Sequence, residues 1–219
     1  MRQLPIFALL LGLMAPMAQP SNTAEDWLNQ GENDQTQHNT QQLKRKIMSI
    51  QDNQQTTSTD LHFNNTDYQF RWEENGQYEF TPVNQPDLEQ WQDMITINVL
   101  PQVTDGETLA VVANNILQHY QENGMLINTA SVPRTETSPA EYLVVAVLGT
   151  EAFLEMAMAR IRLDGDIGTA IVVSHRIYGQ NVGDDMSAWL QQHGPALEQE
   201  LMSWQDIPRA AVLSSLTNN

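Results

Sequence analysis

The residues of this chain best suited to chemistry are adjacent to one another, at Ser174, His175 and Arg176. A serine hydroxyl and an imidazole could serve as the nucleophile and the general base of a hydrolase. However, the segment reads as a β-strand, in which neighbouring residues point to opposite faces, and no G-x-S-x-G elbow is present. We therefore expect no Ser174–His175 dyad. We expect His175 to be a core histidine with a satisfied hydrogen bond.

Arg176 has a structural interpretation of its own. If the hairpin that precedes it has a four-residue loop, Arg176 lies opposite Glu155 and forms a salt bridge across the two strands. A two-residue turn is expected to change that register. With the four-residue loop, the pattern indicates a structural salt bridge and no site.

Two acidic patterns resemble metal or capping motifs. Asp164-Gly165-Asp166 resembles the start of a calcium loop, but the later ligands and the terminal glutamate of the twelve-residue pattern are missing. An ordinary Asp-Gly turn is the expected structure. Asp184 and Asp185 are expected to cap a helix.

Other catalytic chemistries lack a motif. The five histidines show neither H-x-x-x-H nor H-E-x-x-H spacing; they are His38, His62, His119, His175 and His193. The chain has no cysteine, which excludes disulfides, thiol catalysis and thiolate metal sites. No Gly-rich phosphate loop occurs, and 27 acidic residues give no reason to select a glycosidase pair. The sequence therefore predicts no catalytic, cofactor-binding or metal-binding residue.

The charge limits the partners. The formal net charge is −17, and Lys44-Arg45-Lys46 is the single basic cluster. Nucleic acids and anionic lipids require clustered Lys and Arg, so neither is an expected partner. A protein partner or a small ligand is expected, and the oligomeric state is left open.

The N-terminus resembles an export signal. Arg2 gives a positive start, residues 6–14 are apolar, and residues 15–18 are mostly small. Residues 1–18 are therefore predicted to be a signal peptide, cleaved after Ala18 or after Ala15. The apolar run is shorter than the roughly 20 residues needed to cross a bilayer, so no integral membrane segment is expected after cleavage. The mature protein is expected in the periplasm or outside the cell.

Composition divides the rest of the chain. Residues 19–60 are rich in Gln, Asn, Thr and Ser and are predicted to be a disordered polar leader. Residues 61–208 are predicted to form one domain. Residues 209–219 are a C-terminal tail that either docks on the domain or frays.

A hairpin opens the predicted domain. Tyr68, Phe70 and Trp72 alternate with polar residues, which predicts three aromatic side chains on one face of a strand. Asn75-Gly76 predicts a tight turn into the next strand. Full burial of Trp72, and of Trp189 further along, would make each contribute about 3–5 kcal/mol to stability.

The order of the remaining elements predicts the fold class. Thr104 and Glu107 have capping-box spacing for a helix that ends at Gly124. A last helix is expected from Asp184 or Asp185, kinked or divided at Gly194-Pro195. Five strands are expected at 94–100, 125–131, 141–148, 152–163 and 169–178. This order predicts an α+β domain, an antiparallel sheet packed with helices like an α/β/α sandwich.

The segment Tyr78-Glu79-Phe80-Thr81-Pro82, followed by Trp91, resembles the PsbP-like superfamily, which includes periplasmic DcrB-type proteins. The resemblance extends over about residues 60–205. It implies an α/β/α sandwich and a non-enzymatic accessory, binding or assembly role. It implies no site residue.

Together these patterns predict an exported, soluble, non-enzymatic accessory or binding protein of the bacterial cell envelope. One alternative is a periplasmic hydrolase whose site combines dispersed carboxylates and histidines. Another is a secreted effector or surface interaction protein that uses the polar leader as a tether.

Overall fold

The computed structural model describes residues 60–150 and 152–217, so the predicted signal peptide and nearly all of the predicted leader lie outside the described residues. The described part is an α+β domain with one eight-stranded antiparallel sheet. Its strands are β1 (Asp60–Phe63), β2 (Thr66–Glu74), β3 (Gln77–Pro82), β4 (Asp93–Leu100), β5 (Gly124–Val132), β6 (Glu141–Gly149), β7 (Phe153–Asp164) and β8 (Ile167–Tyr178). Its helices are α1 (Gly106–Asn123), α2 (Val182–Ser203) and α3 (Ala210–Ser215). The predicted fold class is confirmed.

The sheet consists of two four-strand meanders that meet in its middle. The strand order is β1-β2-β3-β4-β8-β7-β6-β5, so α1 carries the chain from the middle of the sheet to its far edge. Helix α1 packs on β5, β6 and β7, and α2 packs on β7 and β8. The two helices lie on opposite faces of the sheet, as two adjacent residues of β6 show. Val144 lines a groove with Ala113 of α1, whereas Val145, which points to the other face, lies in the core with Leu197 of α2. We name these surfaces the α1 face and the α2 face.

The first hairpin confirms one prediction and corrects another. Asn75 and Gly76 both have positive φ and form the expected two-residue turn. The single aromatic face is wrong for Trp72, because Phe70 pairs with Phe80 whereas Trp72 pairs with Glu79. Arg71 is thus an extra residue in a β-bulge, which turns Trp72 to the face opposite Phe70.

Hydrogen bonds of Arg71 stabilise this bulge. Its Nε donates to the Thr81 hydroxyl over 2.9 Å, and Nη2 donates to the Pro82 carbonyl over 3.1 Å. The predicted strand alternation failed here because it assumed an unbroken period of two.

The β7–β8 hairpin has the expected cross-strand pair but a different turn. Glu155 lies opposite Arg176, as predicted. The connection is a two-residue turn at Gly165-Asp166, not a four-residue loop, and Asp164 pairs with Ile167. The expected change of register with a two-residue turn is wrong, because this shorter turn only adds one more pair to the same ladder.

The capping residues of the helices differ from the predicted ones. The capping box of α1 is formed by Asp105 and Thr108, one residue later than the predicted Thr104 and Glu107. Asp105 accepts hydrogen bonds from the backbone of Thr108 (2.8 Å) and Glu107 (3.0 Å), two of the amides that a helix start leaves unpaired. Gly124 follows α1 as expected.

Helix α2 starts earlier than predicted and is continuous. Its N-cap is Asn181, and Asp184 and Asp185 lie in the first turn, where their charges favour the helix dipole. The predicted division into two helices at Gly194-Pro195 is wrong, because one helix continues through both residues. Gly194 is buried against the sheet whereas Pro195 faces solvent, so the carbonyl that loses its partner at Pro195 is on the hydrated side.

The buried tryptophans are not the expected ones. Trp72 and Trp189 are only half-buried, whereas Trp91 and Trp204 are buried. Trp204 closes the core at the end of α2, where its ring lies 4.9 Å from that of Phe63. The tail after Pro208 docks, since it forms α3 and buries Leu213 completely.

Replacing Trp204 with alanine is expected to lower the free energy of unfolding by about 3–5 kcal/mol, because it leaves a cavity beneath α2. Urea unfolding monitored by circular dichroism measures this loss. Trp189→Ala is the matched control, with a smaller loss because its ring is partly solvated. Equal losses in the two variants would contradict this description of the core.

Candidate functional site

The structure separates the three residues of the Ser174-His175-Arg176 triplet. Ser174 and Arg176 are buried on the α1 face, and His175 points to the α2 face near the sheet surface. The expected absence of a Ser174–His175 dyad is confirmed. His175 has a partner, as expected, but its side chain is 15% exposed, so it lies at the border of the core and not inside it.

Asp93 is the partner of His175. Its Oδ1 lies 2.7 Å from Nδ1 of His175, and its Oδ2 accepts a 3.2 Å hydrogen bond from Gln85. The imidazole lies flat on the indole of Trp189 of α2, with 4.1 Å between ring centroids and 6° between planes. The ring of His193 lies 5.2 Å from the same indole.

An imidazole held by a carboxylate could act as a general base. Nucleophilic catalysis would also need a hydroxyl or thiol within reach, and His175 has no such hydrogen-bond partner among the described residues. Stacking on Trp189 instead makes this pair a connection between the sheet and α2.

The remaining histidines do not converge on a metal site. His62 forms an exposed pair with Asp67 at 2.7 Å, and His119 lies on α1. His38 lies outside the described residues. Over residues 60–150 and 152–217 no group of three or more histidines and carboxylates is arranged to hold a metal ion. Asp164, Gly165 and Asp166 form the ordinary turn expected for them.

Arg176 is a fully buried charge on the α1 face. Its Nε donates a 2.9 Å hydrogen bond to Glu155, and both side chains are almost fully buried. The guanidinium lies between two rings, 4.0 Å from the centroid of Trp91 and 4.5 Å from that of Phe153. These contacts are cation–π interactions in a site that excludes water.

The electrostatics of this pair follow from burial. Desolvation raises the pKa of Glu155, and the charge and hydrogen bond of Arg176 oppose that rise. Burial likewise raises the pKa of Tyr120 on α1, with a further contribution from Glu155. The pair lies inside the domain and holds charged groups together, so it is a structural element.

The surface best suited to binding is β5, the strand at the far edge of the sheet. Eight of its nine residues are exposed. Three of them are large and apolar: Met125 is 61% exposed, Ile127 40% and Val132 48%. The strand contains no charged residue and no proline, the two devices that commonly block pairing at a sheet edge.

A groove runs beside β5 on the α1 face. It has a volume of about 260 Å³ and lies between α1 and the edge strands. Its lining includes Asn114 and Leu117 of α1, Thr129 and Ser131 of β5, and Tyr142 of β6. A side chain that projects from a strand added to β5 could enter this groove.

The sequence predicted the strand but not its exposure. Met125 to Ser131 was expected to be a strand, and the structure extends it by one residue at each end. Its edge position depends on the path of α1, which no local pattern reports. The available signal was an uncharged stretch of nine residues in a strongly acidic chain.

Comparison with known proteins supplies no family. No protein-family model matches the chain, and no curated protein matches its sequence. A similar solved structure is that of PA94 from Pseudomonas aeruginosa, a protein of unknown function proposed to be a regulator. It is 14% identical, covers 69% of this chain and 98% of that one, and has a TM-score of 0.39. At that similarity it supports no inference about the site.

Replacing Arg176 with methionine is expected to cost about 3–5 kcal/mol at neutral pH, because it leaves ionised Glu155 buried without its partner. The folded-state pKa of Glu155 then lies further above its unfolded value of about 4.3. The free energy of unfolding of the variant should therefore fall as pH rises from the unfolded-state pKa of Glu155 to its folded-state pKa, and it should recover on acidification. Urea unfolding at several pH values between the unfolded-state and folded-state pKa values of Glu155 measures the effect.

The double variant Glu155→Gln, Arg176→Met is the control. It has no carboxylate at position 155, so its deficit relative to the wild type should change much less with pH. A deficit of Arg176→Met that does not change with pH would show that the loss comes from packing alone.

Proposed function

We propose that this chain is an exported, non-enzymatic accessory protein of the bacterial cell envelope that binds an extended segment of a protein partner along β5. The observation that carries the proposal is the open, uncharged edge strand. Strand addition at such an edge gives affinity through backbone hydrogen bonds and specificity through pockets for alternate side chains.

The backbone of β5 suits strand addition in length and chemistry. Nine residues at about 3.4 Å each give an edge of roughly 30 Å. The opposite edge strand, β1, has four residues and buries two of them. The two edges of the sheet therefore differ, and the longer one is the open one.

The side chains around β5 suit a partner that is partly apolar. Met125 and Asn128 share the α2 face of the strand, and Asn128 donates hydrogen bonds to both carboxylate oxygens of Glu198, at 3.1 and 3.0 Å. The groove beside α1 lies on the other face. An added strand would thus meet Met125 and the Asn128–Glu198 pair on one face, and a groove with both polar and apolar lining on the other.

A bulge at Ile127 limits the part of this edge that can pair regularly with an added strand. The pairing of β5 with β6 shifts between Leu126 and Asn128, so Ile127 is the extra residue. Bulges increase local twist and interrupt the regular edge. A partner strand would therefore pair on one side of Ile127, and residues 128–132 are the uninterrupted stretch.

Export is supported by the N-terminal sequence alone, with its basic start, apolar run and small residues before position 19. The resemblance to PsbP-like and DcrB-type proteins agrees with a non-enzymatic role. None of the described helices is long and apolar enough to cross a membrane.

For the hydrolase alternative, Asp93 and His175 are the less exposed of the two carboxylate–histidine pairs among the described residues. That pair is stacked on Trp189 and has no nucleophile beside it among the described residues. We therefore favour binding over hydrolysis. The secreted-effector alternative differs from the proposal in location, which the second experiment below distinguishes.

Crosslinking from β5 tests the proposed surface. A photo-crosslinking amino acid at position 127 should capture a partner in extracts of the producing cell, and mass spectrometry should locate the crosslink in one extended segment. Introducing Val132→Lys into the same chain should reduce capture at least about tenfold, because it places a charge within the 128–132 stretch of the edge. A crosslinker at Val83, an apolar residue that is 53% exposed on another loop, is the control. Equal capture from positions 83 and 127 would contradict the proposal.

Cell fractionation tests export. Intact-mass measurement of the protein from the periplasmic fraction should give a chain that begins at Gln19, or at Pro16 if cleavage follows Ala15. Accumulation in the culture medium would favour the secreted effector. A cytoplasmic, full-length protein would show that the N-terminus is not a signal.

A further inference from the structure

A second cavity lies at the other end of the β7–β8 hairpin from the Glu155–Arg176 pair. It has a volume of about 200 Å³ and is formed by the hairpin end and the linker between α2 and α3. Its lining comprises Arg162, Asp164, Thr169, Gln205, Ile207, Pro208 and Arg209. Four of these residues come from the linker between α2 and α3: Gln205, Ile207, Pro208 and Arg209.

Arg162 has a donor in this region without an acceptor. Among the described residues, none accepts a hydrogen bond from its buried Nε. A buried donor without a partner costs about 1–3 kcal/mol, so such groups are usually satisfied by water or by a ligand. The Thr169 hydroxyl donates at 3.4 Å to the backbone carbonyl of Arg162 and is not a partner of Nε.

The cavity gathers positive charge in a chain that has little. From residue 60 onward the sequence contains six arginines and no lysine, and two of the six line this cavity. Among the described residues, neither Arg162 nor Arg209 has a carboxylate within salt-bridge distance. By contrast, Arg160 is paired with Glu141 at 2.7 Å, and Arg176 is paired with Glu155 at 2.9 Å.

Two unpaired guanidinium groups on one small cavity are suited to an anion. Arg presents planar, paired donors that match a carboxylate or a phosphate. We propose that this cavity, which we name the Arg162–Arg209 cavity, binds a small organic anion with a carboxylate or phosphate group. The proposal goes beyond partner binding at β5 and does not depend on it.

The size of the cavity and its other lining residues limit the class of ligand that it can hold. A volume of about 200 Å³ suits a compact metabolite better than a nucleotide. Asp164 would repel a bare anion but would accept a hydrogen bond from a hydroxyl group. A hydroxylated carboxylate satisfies both kinds of group.

Calorimetric titration of the mature chain with citrate and, separately, with inorganic phosphate tests the site. Binding of at least one anion at millimolar concentration is expected, weakening with added salt. Arg209→Gln should weaken it about tenfold or more. Arg209 is exposed, so the variant should fold as the wild type does, which a thermal unfolding scan checks. Arg162→Lys keeps the charge but loses the paired donors and should bind more weakly than wild type.

Arg134→Gln is the matched control, because it removes one exposed arginine on the loop before β6. It should bind as the wild type does. Binding of citrate alone would identify a carboxylate site, and binding of phosphate alone a phosphate site. Absence of binding for both anions, or an equal loss in Arg134→Gln and Arg209→Gln, would overturn the proposal.

Discussion

The register of β7 against β8 is the constraint on which the rest of the domain depends. These two twelve-residue strands pair along their whole length and set which residues face each helix. In this register Arg160 points to the α2 face, where its Nη1 donates to the carbonyls of Leu201 and Trp204 at 2.8 and 2.9 Å. The same register aligns Glu155 with Arg176 on the α1 face. A slip of one residue would exchange the faces and bury both arginines against the wrong partners.

The two faces bury charge in different ways. On the α2 face, Arg160 satisfies the last carbonyls of a helix while Glu141 neutralises it, so a cation serves as a helix cap. On the α1 face, the charge of Arg176 is met by one carboxylate and two aromatic rings. Both arrangements tie distant segments to the centre of the sheet. In both arrangements the guanidinium is already paired with a carboxylate. Neither Arg162 nor Arg209 has such a pair among the described residues.

Local patterns predicted nearly all elements but not their partners. Alternation, turn residues and apolar spacing gave the strands from β2 onward, and the Glu155–Arg176 pair followed from counting along one hairpin. The predictions were wrong where a single residue shifts the pattern. The Arg71 bulge interrupts the strand alternation, and the helix cap is Asp105, one residue after the predicted Thr104. The candidate sites were out of reach because they are non-local. Asp93 meets His175 across 82 positions, and the exposure of β5 is decided by the strand order of the whole sheet.

The junction of the two meanders also has a consequence for how the chain folds. Strand β4 pairs with β8, which follows it by some 70 residues, whereas every other neighbour in the sheet is adjacent in sequence. Each meander can form from local contacts, but their union must wait until β8 has been made. In the interval, β4 has an open edge that carries Met94, Ile95 and Ile97. A half-finished chain is therefore most prone to aggregate at the middle of the future sheet, a place that the completed molecule hides.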